Sequence, residues 1–121
     1  MNSTATALYP FAPAGKDFSE ALKFHAELGF KIEWQGGGAA GLRCGGAYFI
    51  LQDIDAPKWA EMQMLVLVVD NLDQWWAEFS AKNTVERFPG TRANPPKDFP
   101  WGREVNLSDP AGVLWKVRQK A

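Results

Sequence analysis

Two stretches of the chain carry hydrophobic residues at the spacing of an amphipathic helix. In the first stretch these residues are Phe18, Ala21, Leu22, His25 and Leu28, and in the second they are Leu72, Trp75, Trp76 and Phe79. Asp17 and Asn71 come directly before the two stretches, where a side-chain oxygen can cap a helix. Gly29 favours the end of the first helix. The pattern therefore predicts two helices, each with one apolar face turned to a core.

Strand-like runs surround both predicted helices in the same order. One run precedes each helix, at residues 7–12 and 64–69. Three runs follow each helix, at 31–35, 41–44 and 47–52 in the first half and at 85–88, 103–107 and 113–117 in the second, where 85–88 is the weakest. This repeated β-α-β-β-β order indicates an internal duplication. We predict a single domain over residues 1–121, with module one at about 5–53 and module two at about 62–119.

A helix packed on one face of each sheet leaves the other face of that sheet free. We therefore predict an α+β fold in which two β-α-β-β-β modules form a curved mixed-sheet cup with the helices on its outer face. Strand alternation places the following side chains inside the cup: Tyr48, Ile50, Gln52, Met62, Met64, Val66, Leu114 and Lys116. The residues expected to pack under the helices are Phe49, Leu51, Leu65, Leu67, Trp115 and Val117.

The composition narrows the possible partners. The 121 residues carry a formal net charge of −1, whereas nucleic-acid binding needs a clustered basic excess. No apolar run reaches the length of a membrane span, and the amino-terminal residues do not follow the pattern of a signal peptide. The single cysteine, Cys44, cannot form an internal disulfide. We expect a cytoplasmic protein with neither nucleic-acid nor membrane partners.

A tight turn and the loop before it give the most specific signal in the sequence. In the turn Asp109-Pro110-Ala111-Gly112, proline fixes one φ angle and glycine allows the positive φ that closes the turn. The preceding Pro100-Trp101-Gly102 ends a proline-rich linker at 89–100. Together with the doubled plan, these motifs resemble the bleomycin resistance group of the glyoxalase/bleomycin resistance protein/dioxygenase (vicinal oxygen chelate) superfamily. The resemblance implies the cup-shaped fold and a homodimer that often exchanges a strand.

The resemblance also raises the question of a metal, because enzymes of this superfamily bind a divalent ion through His, Glu or Gln side chains on the concave face. The equivalent positions in this chain are Pro10, Met64, Ile50 and Lys116. None of these four is a ligand for such an ion. Gln52 is the one remaining candidate, and His25 lies on a helix face that should turn to the core. We expect no bound metal and no cofactor.

Trp101 is the leading candidate for contact with a ligand. In the bleomycin resistance group the tryptophan of this loop stacks on the planar part of the drug, for which a rigid indole is well suited. The second aromatic residue of those relatives has no counterpart in the small residues at 36–40. A cationic glycopeptide such as bleomycin would also favour an acidic groove, whereas this chain is nearly neutral and carries Lys116, Arg118 and Lys120 near its end. We therefore expect a planar ligand that is neutral or anionic, rather than bleomycin. Further candidates for the wall of the site are Trp34, Tyr48, Gln52, Trp59, Met64, Arg103 and Lys116.

Two functions remain open at this point. The first is a metal-free small-molecule binding protein that sequesters a planar aromatic compound such as an antibiotic. The alternative is a lyase or isomerase related to glyoxalase that acts in the same cup. For this alternative, the chain lacks a general base at the expected inner positions of the cup. Glu104 is the carboxylate nearest to those positions. In either case we expect a homodimer with the amino-terminal strand at its interface, because Pro10 and Pro13 confine that strand to a sheet edge.

Overall fold

The computed structural model describes residues 2–121, which form two sheets and several helices. The helices are α1 (Phe18–Glu27), α2 (Pro57–Met62), α3 (Leu72–Ala81) and α4 (Thr84–Arg87). The strands are β1 (Phe11–Pro13), β2 (Lys31–Gly36), β3 (Ala39–Cys44), β4 (Ala47–Gln52), β5 (Met64–Val69), β6 (Arg92–Ala93), β7 (Lys97–Phe99), β8 (Gly102–Ser108) and β9 (Leu114–Gln119).

Each module contributes one sheet. The first sheet has the order β1-β4-β3-β2, and the second has the order β5-β9-β8-β6 with β7 also paired to β8. In both sheets the strand before the long helix pairs in parallel with the last strand of its module, β1 with β4 and β5 with β9. The two edges adjoin, because the Gln63 side chain donates a 2.9 Å hydrogen bond to the Phe11 carbonyl. This arrangement confirms the predicted α+β fold with two related modules.

The two long helices begin at the predicted caps. The Asp17 carboxylate accepts a hydrogen bond from the backbone N–H of Glu20, and the Asn71 side chain accepts one from Gln74, each at 3.0 Å. Both caps are three residues before their donors, so the duplication extends to the detail of how each helix starts. The matched caps give α1 and α3 the same length of ten residues.

The structure corrects four sequence predictions. The first strand is shorter than 7–12, since β1 covers only Phe11–Pro13, and Pro10 has no N–H to extend the ladder. The predicted strand at 85–88 is wrong: these residues lie in and just after α4, which follows the left-handed Asn83. Residues 53–61, between the two predicted modules, are expected from the sequence to form a linker, but they contain most of α2, which begins at Pro57, a residue suited to a first helical turn. The linker at 89–100 contains β6 and β7.

The core lies between the sheets and the long helices and includes buried residues of both modules. His25 is at its centre, with only 2% of its surface exposed. Its ring lies 5.1 Å from the Phe49 ring of the first sheet and 5.5 Å from the Trp115 ring of the second. Burial among these rings lowers the pKa of His25 from 6.5 to about 3. The prediction that His25 is a core residue is confirmed.

The turn before β9 is organised by a buried carboxylate. Asp109 accepts hydrogen bonds from the backbone N–H groups of Ala111 and Val113 and from the indole N–H of Trp115, each at 3.0 Å. Gly112 has a φ of 100°, as the predicted turn requires. Burial raises the pKa of Asp109 to about 6 although these three donors oppose the shift. The motif therefore ties the turn to the core through Trp115.

Within residues 2–121, no helix is both long and apolar enough to cross a membrane.

Candidate functional site

One face of each sheet is left uncovered by helices, and we call these surfaces the open faces. The burial pattern confirms the predicted alternation along β4 and β9. Phe49, Leu51, Trp115 and Val117 are buried against the helices. The residues between them in the strands remain at least partly exposed on the open faces: Tyr48, Ile50, Gln52, Leu114, Lys116 and Arg118. On β5, Met64, Val66 and Val68 are all exposed. Together the open faces form an extended and largely apolar surface.

The open face of the first sheet carries an aromatic cluster that we call the first wall. The indole N–H of Trp34 donates a 2.6 Å hydrogen bond to the Tyr48 hydroxyl, and the Tyr9 ring lies 4.4 Å from the Tyr48 ring. Gly41 lies beneath this pair, because a Cβ at position 41 would collide with both the Trp34 indole and the Tyr48 hydroxyl. A glycine at position 41 therefore lets the two rings lie flat on the strand.

A cation is fixed on the same wall. The Arg43 guanidinium lies 4.7 Å from the centre of the Tyr48 ring and pairs with the Glu33 carboxylate. The ion pair with Glu33 raises the pKa of Arg43 further above its usual value. The first wall is thus an aromatic surface with a charged edge, held mainly by side chains of β2, β3 and β4.

The open face of the second sheet carries a second aromatic cluster, the second wall. Trp101 stacks on Phe99 with ring centres 4.9 Å apart and planes 9° from parallel. The Trp101 indole N–H donates a 2.7 Å hydrogen bond to Glu104, which fixes the orientation of the ring. Even so, 55% of the Trp101 surface is exposed. An indole that is held in place but not buried is suited to stacking on a planar molecule.

Glu104 is the hub of the second wall. Its carboxylate is buried and lies 3.3 Å from the Lys116 ammonium and 3.1 Å from the Arg118 guanidinium. Burial by itself raises the pKa of Glu104, but the hydrogen bonds from Trp101, Lys116 and Arg118 outweigh it and lower the pKa below its usual value. The carboxylate is therefore ionised at neutral pH and fully occupied by its neighbours.

The structure brings together most of the predicted site residues, in two groups. Trp34, Tyr48 and Gln52 share the open face of the first sheet. Met64 and Lys116 share the open face of the second, where Lys116 also lies 5.6 Å from the centre of the Trp101 ring. A cavity of about 240 Å³ at the junction of the two sheets is lined by Tyr48 and Val66 of the open faces, together with the core residues Phe49, Leu67 and Trp115.

Two candidates lie elsewhere. Arg103 points to the helix-covered side of β8, where its guanidinium pairs with Asp98 at 3.1 Å and Asp73 at 3.2 Å. This placement does not put Arg103 on either wall, because the next residue along β8, Glu104, takes the open-face position. Trp59 lies in α2 and donates a 3.3 Å hydrogen bond to Gln63.

The residues present on the open faces do not fit a divalent metal. Lys116 lies at one expected ligand position and donates to Glu104, the carboxylate best placed to bind a cation. Pro10 falls on the helix side of the edge strand, and the exposed Phe11 pairs with Ile50 in its place. Within residues 2–121, no three His, Cys, Asp or Glu side chains come close enough together to hold a metal ion. The open faces therefore present aromatic, aliphatic and cationic side chains and no set of carboxylate or imidazole ligands among the described residues.

General-base chemistry also has no suitable residue among the groups with a displaced pKa. His25 is enclosed in the core, and Asp109 is committed to the turn before β9. Glu104 is shielded by two cations and has a lowered pKa, which makes it a poor proton acceptor. The arrangement can stack, solvate and orient a small molecule.

A groove of about 500 Å³ lies away from both walls. It runs between the start of α1, residues 87–90 and the turn at 110–111, and it contains none of the predicted site residues.

Three partners on the second wall were missed by the sequence analysis: Phe99, Lys97 and Arg118. Phe99 and Lys97 were missed because they fall in the segment read as a linker. Arg118 could have been found, since it lies two residues beyond Lys116 on the same strand face.

Residues 10–117 match the model of the Glyoxalase/Bleomycin resistance protein/Dioxygenase superfamily, and the chain belongs to that family. No curated protein sequence matches the chain.

Several solved structures share the fold over nearly the whole length of both chains. A bleomycin resistance determinant encoded on the transposon Tn5 is 24% identical, with a TM-score of 0.80 and coverage of 96% of this chain and 98% of that one. The bleomycin-binding protein of Streptomyces verticillus, complexed with copper(II)-bleomycin, is 20% identical, with a TM-score of 0.80 and coverage of 98% and 99%. TnmS3, an antibiotic binding protein from Streptomyces sp. CB03234, is 23% identical, with a TM-score of 0.71 and coverage of 98% and 100%.

Proposed function

We propose that this protein binds and sequesters a planar aromatic small molecule, such as an antibiotic, without a metal and without covalent chemistry. The observation that carries the proposal is the geometry of Trp101, which is fixed by Phe99 and Glu104 and yet largely exposed. Trp34 and Tyr48 supply a second aromatic surface. The proteins of similar fold named above are described as binding bleomycin or an antibiotic, which supports the same kind of function here.

We further propose that the working form is a homodimer. The cavity of about 240 Å³ at the junction of the two sheets is smaller than the 300–1,000 Å³ usual for a drug-sized ligand. The exposed apolar row of Met64, Val66 and Val68 would be covered by a second subunit, which would also deepen the cavity. β1 is the edge strand of the first sheet, and we expect the amino-terminal segment that leads into it at or across the interface.

The cytoplasmic location expected from the sequence remains part of this proposal. Cys44 is a free thiol, which suits a reducing compartment.

The test of the binding function is the substitution Trp101→Ala. Truncating an aromatic anchor commonly costs about 2 kcal/mol, which corresponds to roughly thirtyfold in affinity. We expect isothermal titration with planar antibiotics to show at least tenfold weaker binding for Trp101→Ala. Trp101→Phe keeps an aromatic ring but loses the second ring and the N–H of the indole, so it should bind less tightly than the wild type and more tightly than Trp101→Ala.

Thermal unfolding separates binding from stability in the same experiment. We expect Trp101→Ala to melt close to the wild-type temperature, because the residue is largely exposed. If the variant binds normally but melts much earlier, Trp101 is a structural residue and the proposed function is refuted.

The dimer is tested by sedimentation velocity. We expect a dimer at micromolar concentration, and Val66→Lys should shift it toward the monomer by placing a charge in the apolar row. A wild-type protein that sediments as a monomer at that concentration would refute the dimer.

A further inference from the structure

The second wall has a feature that aromatic stacking does not explain, which is its concentration of cations. In the strand register, Lys97 of β7 and Arg118 of β9 each lie directly opposite Glu104 of β8. Residues paired in this way share one face of a sheet. The Lys97 ammonium lies 5.5 Å from the centre of the Phe99 ring, and the Lys116 ammonium lies 5.6 Å from the centre of the Trp101 ring. Three cationic side chains therefore surround the stacked rings.

The carboxylate of Glu104 on this face already accepts hydrogen bonds from its neighbours. The Oε1 atom of Glu104 accepts from Trp101 and from Arg118, and Oε2 accepts from Lys116. The carboxylate has 0% of its side chain exposed, so a bound molecule cannot reach it. Asp98 lies on the neighbouring strand β7, but it pairs with Arg103 on the helix-covered side of β8. A cationic ligand would meet positive charge on this wall and no free carboxylate.

The cations, by contrast, keep donors that Glu104 does not use. Lys116 directs one of its three N–H groups to Glu104, and Arg118 directs two of its five. Their side chains remain 22% and 32% exposed. The Lys116 ammonium lies 5.6 Å from the centre of the exposed Trp101 ring, and Arg118 donates to the same Glu104 oxygen as the Trp101 indole. Glu104 thus holds two cations in place beside an aromatic surface without neutralising the wall.

We infer that the ligand of the second wall is a planar aromatic anion, which stacks on Trp101 and places its carboxylate, sulfonate or ionised phenol against Lys116 and Arg118. Lys97 lies on the other side of the ring stack and adds to the positive potential. This inference rests on the proposed sequestration function and narrows its ligand to one charge class. It also separates this site from one built for a cationic glycopeptide such as bleomycin.

Three probes with one ring system test the inference: anthracene-2-carboxylate, 2-(hydroxymethyl)anthracene and 2-(aminomethyl)anthracene, which are anionic, neutral and cationic at pH 7.5. We expect isothermal titration at low salt to show that the carboxylate binds at least tenfold more tightly than the alcohol. The ammonium compound should bind more weakly than the alcohol. Raising the salt concentration should reduce the preference for the carboxylate, since exposed charges are screened.

Substitutions test which side chains cause the preference for the carboxylate probe. Lys116→Gln and Arg118→Gln should each lower the affinity for the carboxylate at least threefold and leave the affinity for the alcohol nearly unchanged. Glu104→Gln should act in the opposite direction, because it removes the one negative charge of the wall. Arg103→Gln is the matched control: it removes a cation from the same sheet, but on the face turned away from Trp101, and should leave the preference intact.

The outcomes distinguish the inference from the function beneath it. If the three probes bind equally, or the ammonium compound binds best, the inference is overturned and the sequestration function stands. If none of the probes binds, the proposed function fails and the inference fails with it. If Arg103→Gln abolishes the preference as strongly as Arg118→Gln, the preference reflects overall charge and not this wall, and the assignment is wrong.

Discussion

His25 makes the stability of this protein depend on pH in a predictable direction. Its pKa is about 3 in the folded state and about 6.5 when exposed, so below pH 6.5 the unfolded chain binds a proton that the folded chain excludes. The folded state therefore loses stability as the pH falls. At pH 5 the unfolded pKa is 1.5 units above the pH, and at roughly 1.4 kcal/mol per unit the loss is about 2 kcal/mol. A folded pKa one unit higher would barely change this figure.

The measurement compares the wild type with His25→Met, an apolar side chain of similar size, by urea unfolding at pH 7.5 and pH 5.0. We expect the free energy of unfolding of the wild type to fall by about 2 kcal/mol more than that of the variant. Asp109 acts in the opposite direction, because its raised pKa of about 6 lets the folded state bind a proton first. Since Asp109 is present in both proteins, its contribution cancels in the difference.

The reasoning is refuted if the stability difference between the two proteins is the same at both pH values. Equal protein concentrations are needed in all four experiments, because association stabilises the folded state in a concentration-dependent manner.

Two further substitutions follow from the contacts described above. Asp109→Ala should lower the free energy of unfolding by about 3 kcal/mol, because it leaves buried donors of the turn and of Trp115 without an acceptor. Asp109→Asn keeps one oxygen and should lower it less. An equal loss for the two variants in chemical denaturation would contradict this account. Gly41→Ala should break the hydrogen bond between Trp34 and Tyr48, because the new methyl group needs the space of both side chains. We expect weaker ligand binding with a nearly unchanged circular dichroism spectrum, whereas unchanged binding would show that the first wall does not contact the ligand.

Local patterns explain how much of the fold could be predicted. The caps Asp17 and Asn71 were identified because a helix start depends on residues only three positions apart. The bounds of β4 and β5 agree with prediction to the residue, since both strands are continuous runs of strand-forming side chains. The same periodicity separated open-face residues from those under the helices, as the burial of Trp115 shows.

The remaining features depend on contacts between distant parts of the chain. The strand that contains Lys97 and Phe99 has three residues, too few for a periodic pattern, and it forms only because β8 is beside it. Arg103 was placed on the wrong side because the parity of β8 depends on where the Trp101 loop ends. The hydrogen bond between Trp101 and Glu104 sets that parity, and it is visible only in three dimensions.

The crowded packing around Gly41 has a consequence for how this protein can evolve or be redesigned. Trp34 and Tyr48 occupy the space that any other side chain at position 41 would need. Position 41 can therefore take a side chain without breaking the contact between Trp34 and Tyr48 only after one of those rings becomes smaller, whereas either ring can shrink while Gly41 stays unchanged. The order in which mutations arrive thus decides which ligand surfaces are reachable. A library that varies one position at a time would record changes at Gly41 as harmful to the first wall. A library that randomises positions 34, 41 and 48 together would also contain the combinations in which a smaller ring makes room for a side chain at position 41.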